Sequence, residues 1–133
     1  MKKTIDELLQ TPYWIVDILP EQVPKDSPGQ YFAVEDYYLT EPRLSAFKQK
    51  HINVILKLNC YMSLSLDEDE LVNPPPERIA NEMHRRHLCI MVDDSMIVSK
   101  PDLTYMTIYD PDEKLLGLIK AISCGEGLFV WKP

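Results

Sequence analysis

Apolar and polar positions along this chain follow two different periods, and each change of period marks an element. From Tyr13 to Leu19 the run Tyr-Trp-Ile-Val-Asp-Ile-Leu is apolar almost throughout, as a buried strand would be, and Pro20 ends it. Leu44, Phe47, His51, Val54 or Ile55, and Leu58 recur at three and four residues, which predicts an amphipathic helix. Thr40 or Glu41 is expected to start it, with Pro42 tolerated in the first turn. Cys60, Met62, Leu64 and Leu66 then alternate with Tyr61, Ser63 and Ser65, so a strand is expected almost without an intervening loop.

The same reading continues downstream. Ile79, Ala80, Met83 and His87 predict the inward face of a second helix beginning near Glu77, with Glu82 one turn before Arg86. Leu88 to Val92 reads as a central strand, Asp93-Asp94-Ser95 as a turn, and Met96 to Val98 as a hairpin partner. Tyr105, Thr107 and Tyr109 alternate with Met106 and Ile108 as in a half-buried strand. A third helix follows, with Asp110 expected at its N-cap, Pro111 at its first position and Glu113 completing a capping box. Leu115, Leu116, Leu118, Ile119 and Ile122 form its apolar face, Gly125 and Gly127 stop it, and Leu128 to Trp131 reads as a last strand.

Two segments are less regular. Residues 1–10 are expected as an N-terminal helical arm, with Ile5, Leu8 and Leu9 apolar and Thr4 with Glu7 as a capping box. Tyr31 to Leu39 is aromatic and apolar enough for a strand, while Glu35 and Asp36 suit a helical turn, so both assignments stay open. Pro20, Pro24, Pro28 and Gly29 make 20–29 a loop, and Pro74, Pro75 and Pro76 form a stiff extended spacer. The expected fold is α+β. It is a single domain over 1–133, a two-layer sandwich with about three helices on one face of a mixed or mainly antiparallel sheet. A doubly wound sheet is the alternative. The last strand–helix–strand unit allows either a parallel crossover or a helix laid on a mixed sheet.

Composition narrows the function more than the fold. At 45% hydrophobic and 26% charged, the chain has the balance of a folded globular protein. No uncharged apolar run approaches the roughly 18 residues of a membrane span, and the N-terminus lacks the apolar core of a secretory signal. Three widely spaced cysteines argue against a disulfide framework, so a cytoplasmic location is expected. Net charge is −7, with 7 basic and 8 acidic residues in 1–66 against 7 and 13 in 67–133. That balance disfavours nucleic acid and anionic membranes, which need a cationic footprint, and suits simple solubility or a basic protein partner.

Candidate chemistry is sparse. No G-x-G-x-x-G, Walker-type, G-x-S-x-G, H-E-x-x-H or paired C-x-x-C motif occurs. On a continuing helix His84 and His87 would share a face, and with Asp93 and Asp94 they form the alternative, metal-binding reading. Asp110 and Asp112 could join Asp93 on a divalent cation, although turn and cap roles already explain them. His51 lies in the apolar stripe of its helix and reads as a core-edge histidine. Cys124, near a helix C-terminus, is a poor nucleophile. Tyr37 and Tyr38, beside Asp36, are expected to form a partner or ligand surface, because adjacent aromatics cannot both face a core. The expectation is therefore a non-enzymatic domain acting through protein contact or self-association, with no cofactor. The alternative is a small metal-assisted hydrolase or ligand-binding domain.

Overall fold

The computed structural model describes residues 3–133. Its elements run α1 (Ile5–Leu8), β1 (Tyr13–Asp17), α2 (Tyr31–Leu39), α3 (Arg43–Asn59), β2 (Ser65–Leu66), α4 (Pro76–Arg85), β3 (Leu88–Val92), β4 (Ser95–Ser99), β5 (Met106–Tyr109), α5 (Glu113–Gly125) and β6 (Phe129–Trp131). The strands form one sheet in the order β2-β3-β4-β5-β1-β6. Every neighbouring pair is antiparallel, so the α+β class holds. Helices number five among the described residues: the three expected at α3, α4 and α5, the N-terminal arm as α1, and α2 in the segment left open between strand and helix. β5 and β6 both pair with β1, which lies between them. They are therefore parallel to each other without touching, and α5 carries the chain across the inserted strand.

Strand residues alternate between two sides, as a period of two requires. Val16, Leu66, Leu88, Ile90, Val92, Ile97, Met106 and Ile108 join one core cluster with Phe47, Ile52, Ile55 and Leu58 of α3, Ile79 and Met83 of α4, and Leu115 and Ile119 of α5. Each fully buried aliphatic side chain in such a cluster contributes about 1.5–3 kcal/mol, so this side holds the fold together. The alternate positions are Tyr13, Ile15 and Asp17 on β1, Thr107 and Tyr109 on β5, Val98 on β4 and Trp131 on β6. They carry a different chemistry.

Several local expectations are corrected. Tyr31–Leu39 is helical, but α2 buries none of its residues. The expected strand from Cys60 shrinks to Ser65–Leu66, because α3 runs on to Asn59 with Cys60 as its C-cap. Leu64 is meanwhile held by Asn73, which accepts its N–H through Oδ1 and donates its own N–H to the Leu64 carbonyl. α3 starts at Arg43, later than expected, with Pro42 at its N-cap; Glu41, just before it, accepts from the Ser45 N–H at 2.7 Å and the Ser45 hydroxyl at 2.6 Å. The cap of α5 is Asp112, whose Oδ1 accepts the Leu115 N–H at 2.8 Å. Asp110, expected as that cap, has φ +55° and pairs through its side chain with Lys3. The pattern Asp-Pro-Asp offers two caps, and the backbone turn at Asp110 leaves only the second in register. Thr4 and Glu7 do form the reciprocal capping box of α1. Gly127, at φ +76°, provides the left-handed residue after α5.

Candidate functional site

The strand side facing away from the core cluster floors a groove of about 530 Å³. Its base is Tyr13, Ile15 and Asp17 of β1, Thr107 and Tyr109 of β5, and Trp131 of β6, brought together by the register Tyr13↔Tyr109, Ile15↔Thr107 and Ile15↔Trp131. The Tyr13 and Tyr109 rings sit 5.6 Å apart. Tyr31, the first residue of α2, and Tyr105 add two more phenol rings, while Leu9 and the segment Leu19–Val23 supply a rim. Lys100 is the single cation among the lining residues, against the acids Asp17 and Glu21.

Asp17 is the unusual member. Only 7% of it is exposed, yet no lysine, arginine or histidine pairs with it among the described residues. Among the described residues its one hydrogen bond is donated by the Ile18 N–H to Oδ1 at 2.7 Å. Burial raises its pKa above the ordinary carboxylate value; the Ile18 and Leu19 amides and the Trp131 indole pull it back, and Glu35 adds to the rise. The indole N–H is near enough to be felt but not to bond, since Trp131 Nε1 is buried without a partner. Tyr31 donates to Glu35 at 2.9 Å, and burial with that carboxylate pushes its phenol up to about 12. The groove therefore holds a desolvated acid, aromatic walls and an unfilled indole donor.

A second buried charge lies near the groove's rim loop. Lys48 is 3% exposed, and its ammonium donates to the backbone carbonyls of Lys100 (2.6 Å) and Leu103, both groove residues. Its third contact is His51 Nδ1 at 3.2 Å. An ammonium has three protons and here has three acceptors, so its polar capacity is filled. Burial lowers the Lys48 pKa to about 8 and, together with the Lys48 charge, lowers that of His51 to about 3. His51 is fully buried, not at the core edge as expected, and its Nε2 has no hydrogen-bond partner among the described residues.

The residues singled out from the sequence are scattered. Tyr37 and Tyr38 are exposed on α2, their rings 5.4 Å apart and edge to face, with Asp36 exposed beside them. Arg43 covers one face of Tyr37 at 3.8 Å, and Tyr38 leans on Phe47. α4 ends at Arg85 and its C-cap Arg86 is extended, so His84 and His87 lack the helical spacing expected of them, and both are exposed. His87 was expected to face inward; the early end of the helix turns it out.

Asp93, Asp94, Asp110 and Asp112 do line one depression, without either histidine. Among the described residues no three His, Cys, Asp or Glu side chains are placed to hold a metal ion. Asp93 instead takes φ +49° in the two-residue turn that closes the β3–β4 hairpin.

No protein-family model, no curated protein and no solved structure matches the chain. The groove must be read from its own chemistry. Sequence reasoning passed over Asp17 and Lys48, although both broke a pattern: an acid inside the apolar run Tyr13–Leu19, and a lysine on the apolar stripe between Leu44 and His51. A buried polar residue is the informative exception in such runs.

Proposed function

We propose that this protein is a binding domain that acts through contact with a protein partner, not by catalysis. The binding face consists of the aromatic groove and the adjoining surface of α2, with α3, α4 and α5 layered on the other side of the sheet. The observation that carries the reading is the continuity of uncovered aromatic surface. Tyr31 lines the groove, its ring lies 5.4 Å from that of Phe32, and Phe32 is 80% exposed; Tyr37, at 54%, is a further exposed ring on α2. A nine-residue helix that buries nothing adds little to the core, whereas exposed tyrosine and phenylalanine are the side chains that anchor interfaces.

The test compares wild type with the double variant Phe32→Ser/Tyr37→Ser. Light scattering over a concentration series reads self-association, and capture from extracts of the protein's own cells reads other partners. The expected result is one stoichiometric partner, a second copy or another protein, held by wild type and lost by the variant at unchanged thermal stability. A partner retained equally by both would overturn the assignment of this face.

A further inference from the structure

We infer that the groove receives a basic side chain of the partner protein, an arginine or lysine, with Asp17 as its counter-ion and the surrounding rings as its walls. The inference rests on the binding-face reading above and adds the chemistry of the occupant. A carboxylate withdrawn from water without a cation is costly, and the cost falls when a cation enters. Asp17 is over nine-tenths buried, lines the groove, and among the described residues its hydrogen-bond donor is a backbone amide. Tyr31, Tyr105 and Trp131 share the Asp17 end of the groove and are ring types that attract a desolvated cation, while Tyr13 and Tyr109 line it farther along β1.

The charge balance points the same way. Glu21 lines the groove, Glu35 is hydrogen-bonded to Tyr31, and Lys100 is the only basic lining residue among those described, its backbone carbonyl engaged by Lys48. An anionic occupant would meet two acids, and a neutral apolar one would leave Asp17 buried and unpaired. A protein segment fits better than a free cation because the groove runs into the exposed aromatics of α2. Residues flanking the basic side chain would cover those rings.

The experiment is an NMR titration of the full chain, following the Trp131 indole N–H and the backbone amides of β1, β5 and β6. The probe is a blocked pentapeptide with a central arginine between alanines and terminal leucines. Its counterparts carry lysine, citrulline or glutamate at the centre, and arginine amide serves as the free cation. The arginine peptide is expected to shift the Trp131 indole and the groove amides. Citrulline keeps the shape but loses the charge, so its peptide should bind about tenfold more weakly or worse, and the glutamate peptide should not bind.

Asp17→Asn retains the oxygen that accepts from Ile18 and should reduce arginine-peptide affinity by a similar factor. The citrulline comparison uses wild type, so it stands even if that variant misfolds. Equal binding of arginine and citrulline peptides at the groove would overturn the cation assignment and leave the binding-face reading intact. Arginine amide binding as tightly as the peptide would overturn the protein source. Absence of any groove shift at millimolar arginine peptide would overturn the inference as a whole, while partner capture tests the broader reading separately.

Discussion

Lys48 and Asp17 are both charged, both more than nine-tenths buried, and differ in every other respect. Lys48 has its three protons directed at the carbonyls of Lys100 and Leu103 and at His51 Nδ1. It joins α3 to the loop between β4 and β5 and leaves no donor for a ligand. Asp17 has, among the described residues, one backbone donor and no cation, and it lines the aromatic groove. A buried charge whose hydrogen-bonding capacity is filled from within is part of the scaffold. One left short beside a groove is available to a partner. Burial alone does not separate the two roles; the count of satisfied lone pairs and protons does.

The sharpest way to break that contrast is to remove Lys48. Lys48→Met keeps the aliphatic stem but strands two carbonyls and an imidazole nitrogen, and it should lower stability by about 2–4 kcal/mol at pH 7. Urea denaturation reads the change, and a neutral outcome would show that the ammonium holds nothing. His51 comes next. Its folded pKa of about 3 lies below the ordinary 6.5, so the neutral form is preferred by the fold. Its contribution is present above pH 6.5 and drains away as pH falls toward about 3, where only the unfolded chain takes up the proton. The slope should approach about 1.4 kcal/mol per pH unit for this one group. His51→Gln, measured by thermal unfolding between pH 7 and pH 4, should flatten that slope; an unchanged pH profile would assign the acid sensitivity elsewhere.

The smallest effect is expected at Asp17. Its folded pKa is raised, so the ionised form opposes folding, and the penalty appears as pH rises above the ordinary carboxyl value of 3.8. Asp17→Asn should leave stability at pH 7 unchanged or raise it by up to about 1 kcal/mol, with the gain vanishing in acid. A large loss on that substitution would make Asp17 structural, like Lys48, and remove the contrast.

How much of this was legible beforehand depended on the range of the interactions involved. Thr4 with Glu7, the glycine stop at Gly127 and the β3–β4 hairpin were readable because each is settled within a few residues. Asp110 against Asp112 was not, because two acids flank one proline and only the backbone turn after β5 decides which faces the first amides of α5. The alternation from Cys60 to Leu66 was a true pattern without a partner: β3 offers pairing only to Ser65 and Leu66, and Asn73 takes the backbone of Leu64. Adjacency required at least one of Tyr37 and Tyr38 to face outward; the fold exposes both, with Asp36, and says nothing of what they meet.

By itself the chain favoured an α+β class over a doubly wound sheet and determined the apolar faces of α3 and α5, the acidic balance and the lack of familiar catalytic motifs. These follow from local spacing and composition, which need no knowledge of distant contacts. Only the tertiary structure decided that β1 slots between β5 and β6, and that insertion sets Tyr13 beside Tyr109 and Asp17 near Trp131. Residues about 90 to 115 positions apart met there because strand pairing, not sequence proximity, assembles the face of a sheet.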